Sequence, residues 1–235
     1  NVVVFRTLPK LESGKLIFQI GSNNVDNAIK AGLKIINDVD GIDLNCGCPK
    51  HFSIHSGMGA ALLSTPDLLC DILFGLVNKV GKPNGKPISC KIRILDSLED
   101  TETLVKKICK TGIKNLTVHC RTREMRNRDA PRWEYLKRIE QICCENNVSL
   151  IMNGKLKDKE HFISTRKALG LPDTVGGMIA DCAESNPSVF NDKPLTWMKI
   201  IKEYLEIAIK MNNNFGNTKY MLGRIIPGKK KMYQY

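Results

Sequence analysis

The sequence predicts an α/β fold built on a parallel β-sheet, and three observations predict it. Short apolar runs alternate with amphipathic stretches along most of the 235 residues, the pattern of repeated βαβ units. Polar residues and glycines gather where those runs end, which is where parallel α/β folds expose functional groups on a rigid frame. A chain with 42% hydrophobic and 26% charged residues suits one large domain, or one domain and the start of another.

Six strands follow in order: "KLIFQI" (15–20), "GIDLN" (41–45), "KPISCKIRIL" (86–95), "KNLTVHC" (114–120), "VSLIMNG" (148–154) and "VGGMIAD" (175–181). Between them "NNVDNAIKAGLKIIND" (23–38), "STPDLLCDILFGLVNKV" (64–80) and "SLEDTETLVKKICKTG" (97–112) read as helices that open on Asn or Ser, side chains that satisfy the free N–H groups of a first turn. Six strands fit a doubly wound sheet; a (β/α)8 barrel needs two more βα units, which would precede Asn1, with "VVVF" (2–5) as their remnant. From residue 195 the pattern turns helical, "TWMKIIKEYLEIAIKMNNN", so the expected domains are 1–194 and 195–235. The chain starts on Asn and ends at "KKKMYQY" without a helix stop, and is expected to be a fragment at both ends.

A net charge of +12 needs an anionic partner, and nucleic acid is the usual one for a basic protein. Nine cysteines, an odd number spread over apolar and helical contexts, with no secretory signal before them, point to reduced thiols in the cytoplasm or nucleus. No apolar run approaches the ~20 residues of a membrane span.

The strand ends supply Gln19, the Asn45–Pro49 loop, Lys91 with Arg93, His119 with Arg121, Asn153 with Gly154, and Ala180 with Asp181. Lys91 sits in a strand covered on both faces and stays charged only beside an anion, either a ligand or a local aspartate. His119 taken alone suits a core histidine as well as a ligand contact. Cys46, Cys48, His51 and His55 could supply zinc ligands, but Cys-x-Cys spacing closes a tetrahedron poorly and no second CxxC exists, so no metal is expected. A single acidic or nucleophilic thiol in a tight loop, followed by glycines that let a ligand approach the backbone, fits better. Arg121, Arg123, Arg126 and Arg128 crowd one loop at the same rim, where phosphates are the natural partners.

These residues carry a resemblance. "NCGCPKHFSIHSGMGAALL" is similar to the signature of tRNA-dihydrouridine synthases, and "FQIG", "CKIRIL", "TVHCRTR", "MNG" and "GGMIADCAESNPSVF" follow in that family's order over almost the whole chain. "CPKHFS", "KIRILDSLEDT" and "FGNTKYML" look most like its eukaryotic type-2 branch, which implies uridine 20 of the tRNA D-loop as substrate. The resemblance implies a (β/α)8 TIM barrel, here lacking its first two βα units, then the start of a helical tRNA-binding domain. It implies FMN reduced by NADPH, hydride transfer to uracil C6 and a proton from Cys48 to C5. Gln19, Lys91, His119, Asn153, Gly154, Lys155, Ala180 and Asp181 are then the cofactor residues, with Lys91 set against the anionic pyrimidine edge of reduced flavin. Asn45, Arg93, Arg121, Arg123, Lys219, Lys229, Lys230 and Lys231 are the expected tRNA contacts, and a monomer is expected. The sequence departs from the family twice. Asp181 stands where an arginine commonly holds the flavin phosphate, and Lys155 where Gly or Asp is common. The competing readings are a flavin reductase of dihydroorotate-dehydrogenase type acting on a small molecule, and an RNA-binding module that has lost its flavin.

Overall fold

The computed structural model describes residues 5–228. The chain forms two compact units, one running to Gly154 and taking back Leu169–Gly176, the other made of Lys155–Ala168 and everything from Gly177 on. In the first unit α1 (Pro9–Glu12), β1 (Ile17–Ile20), α2 (Val25–Ile35), β2 (Gly41–Cys46), α3 (His51–His55), α4 (Pro66–Leu76), β3 (Ile88–Arg93), α5 (Leu98–Cys109), β4 (Asn115–His119), α6 (Leu136–Glu145) and β5 (Ser149–Asn153) follow one another. The second carries α7 (Lys159–Ala168), α8 (Asp181–Ser185), α9 (Trp197–Lys210) and α10 (Phe215–Ile225). A short strand β6 (Gly176–Met178) starts on the last residue of the first unit.

Strands β1 to β5 pair in chain order and all in parallel. A doubly wound sheet reverses its strand order at a switch point, whereas a barrel adds each strand beside the last. The unbroken order selects the barrel architecture. Period two then sorts the side chains. Ile42, Leu44, Cys46, Ile88, Cys90, Ile92, Leu116, Val118, Leu150 and Met152 share one face and are at most 3% exposed. Leu69, Ile72, Leu73 and Leu76 on α4, and Leu136, Ile139 and Ile142 on α6, join this core at helical spacing and are fully buried. Each such side chain contributes about 1.5–3 kcal/mol.

Local chemistry sets the ends. Asn24 accepts from Asn27 N at 2.9 Å and Ser97 from Asp100 N at 3.0 Å, capping α2 and α5 where the sequence predicts their starts. Strand β3 is shorter than the predicted 86–95: Pro87 has no N–H to donate, and Leu95 N turns to Thr101 Oγ1 at 3.0 Å. The strand predicted at 175–181 stops at Met178, and Asp181 opens helix α8 instead. Of "VVVF", residues 2–4 lie outside the described residues, while Phe5 packs edge-on against Phe18 at 4.7 Å. No helix among the described residues is long and apolar enough to cross a membrane.

Candidate active site

The second face of the sheet is polar and arranged in rows by the strand register. Gln19, Asp43, Ser89, Asn115 and Ser149 stand side by side; two residues along come Asn45, Lys91 and Thr117; two further on come Arg93, His119 and Asn153. The predicted strand-end residues of the first unit therefore share one face and converge towards one end of it.

The Cys48 loop is built by hydrogen bonds rather than bulk. Asn45 Oδ1 accepts from Gly47 N at 3.1 Å and Cys48 N at 3.0 Å, Arg93 Nε donates to Gly47 O at 2.9 Å, and Ala60 N donates to Cys48 O at 3.0 Å. Gly59 has φ +62, and a Cβ there would stand 2.7 Å from Cys48 O and run into Ser53 Oγ. Glycine is required at this place both by its backbone and by the closeness of the cysteine loop. Cys48 is half-buried, whereas Cys46 is fully buried on the apolar face and burial pushes its thiol well above the ordinary range. Among the described residues no three His, Cys, Asp or Glu side chains are grouped to hold a metal ion.

Asp43 organises the lower row. It is 8% exposed, accepts from Gln19 Nε2 at 2.8 Å and from Ser89 Oγ at 2.7 Å, and burial raises its carboxyl against those two bonds. Gln19 Oε1 in turn accepts from Asn45 Nδ2 at 2.9 Å, so the Gln19 amide is held at both ends. Lys91, in the next row, makes no hydrogen bond or ion pair among the described residues. Burial brings its ammonium down to about 8, Arg93 adds to that, and the charge of Asp43 opposes it.

Arg93 is 6% exposed and holds Gly47 O, Thr122 O at 2.8 Å and Met125 O at 3.3 Å. Burial lowers its pKa, with Arg121 next. Arg93, an expected tRNA contact, is here a clamp on two loops. Arg121 is 3% exposed and likewise turned inward, to Asp129 O, Asn127 O and His119. Arg123 is exposed beside Glu124 at 3.3 Å, and Arg126 and Arg128 are exposed. His119 is driven to about 3, first by burial and then by Lys91, Arg93 and Arg121. Asn153 is buried, with its carbonyl accepting from Cys120 N at 3.2 Å, and Gly154 has φ +126.

Lys155, Ala180 and Asp181 belong to the second unit and are exposed there. Lys155 holds a left-handed backbone, φ +60, which explains why glycine or aspartate suits this place. Lys219 is exposed on α10, and Arg224 pairs with Glu184 at 2.7 Å. Lys229, Lys230 and Lys231 lie outside the described residues. Sequence reasoning missed Asp43 and Ser89, although Asp43 stands two residues before Asn45 and so shares its face.

Residues 1–235 match the protein family described as Dihydrouridine synthase (Dus). The chain is 56% identical to tRNA-dihydrouridine(20) synthase NAD(P)+ of Saccharomyces cerevisiae, over 100% of this chain and 63% of that protein. It is 47% identical to the Schizosaccharomyces pombe protein of the same name, over 97% of this chain and 47% of that one. It is 35% identical to the S. cerevisiae tRNA-dihydrouridine(20a/20b) synthase NAD(P)+, over 76% of this chain and 47% of that one. The chain therefore spans about half to two thirds of the length of these relatives.

Proposed function

The chain belongs to the dihydrouridine synthase family, and from that premise we propose that its protein reduces a uridine of tRNA to 5,6-dihydrouridine, at position 20 of the D-loop, with FMN as cofactor and NADPH as reductant. The observation that carries this reading is Lys91, a half-buried ammonium without an ion-pair partner among the described residues, in one face with the Gln19–Asn45 amides and below the Cys48 loop. Such a face fits the carbonyl-rich pyrimidine edge of a flavin: Lys91 supplies the positive charge, and the Gln19 and Asn45 amides supply fixed donors and acceptors. Asn153 and Gly154, beside the His119 ring, are assigned as donors to the ribityl or phosphate portion. Bound FMN, once reduced, supplies the hydride that C6 of the uracil takes up.

The chain's own contribution to the chemistry is the proton. Cys48 Sγ holds it in a loop fixed by Asn45, Arg93 and Ala60 and releases it to C5. A base stacked in folded tRNA must be extruded to reach this face. Phosphate neutralisation is assigned to Arg123, Arg126, Arg128 and Lys219, which reach solvent, and, on their charge alone, to Lys229, Lys230 and Lys231. Residues 195–235 begin a helical tRNA-binding domain, residues 1–194 the catalytic one, and the protein works as a monomer in the cytoplasm or nucleus.

Mapping dihydrouridine in RNA from cells lacking the protein tests the reading. Loss of the modification at position 20 of tRNA is the expected result. Unchanged dihydrouridine there, with a colourless purified protein, would leave a flavin-free RNA-binding role instead.

A further inference from the structure

Arg121 spends its guanidinium within the molecule. Nε donates to Asp129 O at 2.8 Å, Nη2 to Asn127 O at 3.0 Å, and Nη1 lies 2.9 Å from Nε2 of His119. A guanidinium has donors only and does not give up its proton. At that distance Nε2 of His119 must accept, through its lone pair. An imidazole that accepts through Nε2 carries its one proton on Nδ1, for which no partner exists among the described residues. The ring is also held in place. Gly154 packs close beside it, so that a Cβ there would stand only 3.2 Å from Cδ2 of His119 and 3.4 Å from Pro131 Cβ. The charged groups that face the ring are Lys91 and Arg93 from β3 and Arg121 from its own strand's loop, all cations. A second proton on the ring would meet three positive charges and displace the guanidinium.

We propose that Arg121 is a positioning residue that locks His119 as the neutral Nδ1–H tautomer, so that the ring donates a hydrogen bond to an oxygen of the bound ligand and never serves as the proton source. The lock rests on the geometry alone. That the oxygen belongs to a flavin or a uracil rests on the function proposed above.

The test uses the protein labelled with 15N-histidine, with and without FMN. Long-range 1H–15N correlations should show His119 Nδ1 protonated and Nε2 unprotonated in the flavin-free protein, unchanged from about pH 8 to about pH 5, where an ordinary histidine titrates. A proton on Nε2, or titration within that range, overturns the lock whether or not flavin binds. Arg121→Gln should release the ring to both tautomers and weaken FMN about tenfold, the size of one hydrogen bond, while the salt dependence of tRNA binding stays as in the wild type. A smaller salt slope would return Arg121 to a phosphate contact and overturn the proposal. Because Arg121→Gln also frees the carbonyls of Asn127 and Asp129, a double-mutant cycle separates ring from loop. His119→Asn, whose amide N–H falls near the place of Nδ1, should keep FMN affinity within a few fold, and His119→Gln should not. In the His119→Asn background Arg121→Gln should cost nothing further. A full tenfold loss there means that Arg121 acts through the loop, and the proposal fails.

Discussion

Replacing Lys91 with methionine should make the protein more stable and less able to hold flavin. The amine titrates at 10.5 in an unfolded chain and at about 8 in the fold, chiefly because burial disfavours its charge. A depressed folded pKa means that stability falls as pH falls from the unfolded value towards the folded one, because only the unfolded chain takes up the proton in that window. The loss is about 1.4 kcal/mol per pH unit. Below pH 8 the penalty is complete, about 3 kcal/mol in all. Methionine keeps the length and apolar stem of Lys91 without the charge, and no hydrogen bond is lost with it. Urea denaturation should therefore place Lys91→Met about 3 kcal/mol above the wild type at pH 7, and only about 1.4 kcal/mol above it near pH 9.5, where the lysine is already mostly neutral in the fold. An anionic ligand relieves the same penalty, so binding of reduced FMN, whose pyrimidine edge carries the negative charge, near pH 8 should draw a proton from the buffer. Calorimetry in two buffers of different ionisation enthalpy reads that uptake directly, and Lys91→Met should abolish it. A stability difference that does not change with pH, or reduced FMN binding without proton uptake, would refute the argument that Lys91 is a desolvated cation awaiting an anion.

Gly59→Ala should cost about 1–2 kcal/mol for the left-handed backbone and a further 1–3 kcal/mol for overpacking against Cys48 O, read from urea midpoints at unchanged slope. Turnover should fall more steeply than FMN affinity, because the displaced group is the cysteine loop. Lys155→Gly should relieve about 1–2 kcal/mol of backbone strain against about 0.5–1 kcal/mol of added chain entropy. It should leave the fold slightly more stable, read from urea midpoints; a loss of stability would mean that the left-handed backbone at Lys155 carries no strain. Replacing Lys219, Lys229, Lys230 and Lys231 with Ala should lower the slope of log affinity for tRNA against log salt by about 0.9 for each phosphate that is no longer neutralised, without altering flavin absorbance; an unchanged slope would mean that these lysines serve solubility.

Much of the framework was legible because alternation in a buried parallel strand leaves a strong trace. Leu44 and Cys46 face the core while Asp43 and Asn45 face the site, and the same period carries Cys90 and Ile92 against Lys91 and Arg93. Placing Gln19, Lys91, His119 and Asn153 on one face follows from that period once the strands are known to pair in chain order. What stayed hidden depends on partners far apart in sequence or on backbone. Ser89 reaches Asp43 across 46 positions, and nothing in "KPISCKIRIL" announces it. Arg93 and Arg121 look like tRNA contacts because arginine at a rim usually meets anions, yet their partners in the fold are main-chain carbonyls and, for Arg121, also the His119 ring; carbonyls are supplied by every residue, and no sequence pattern marks them. The end of β6 was misplaced for a similar reason: "MIAD" continues a strand by composition, while the backbone turns at Ala180, φ −115 and ψ −85, to start α8.

Mass mapping of an unmodified tRNA transcript after incubation with the protein, FMN and NADPH tests the central claim most directly. The account predicts the gain of one H2 at the uridine in position 20. The gain should be lost with Cys48→Ala, whose general acid is worth about 10²–10⁴ in rate, and kept with Cys46→Ala, whose thiol is sealed in the core. Reduction that survives Cys48→Ala, or that falls on a free nucleotide rather than on tRNA, would contradict it.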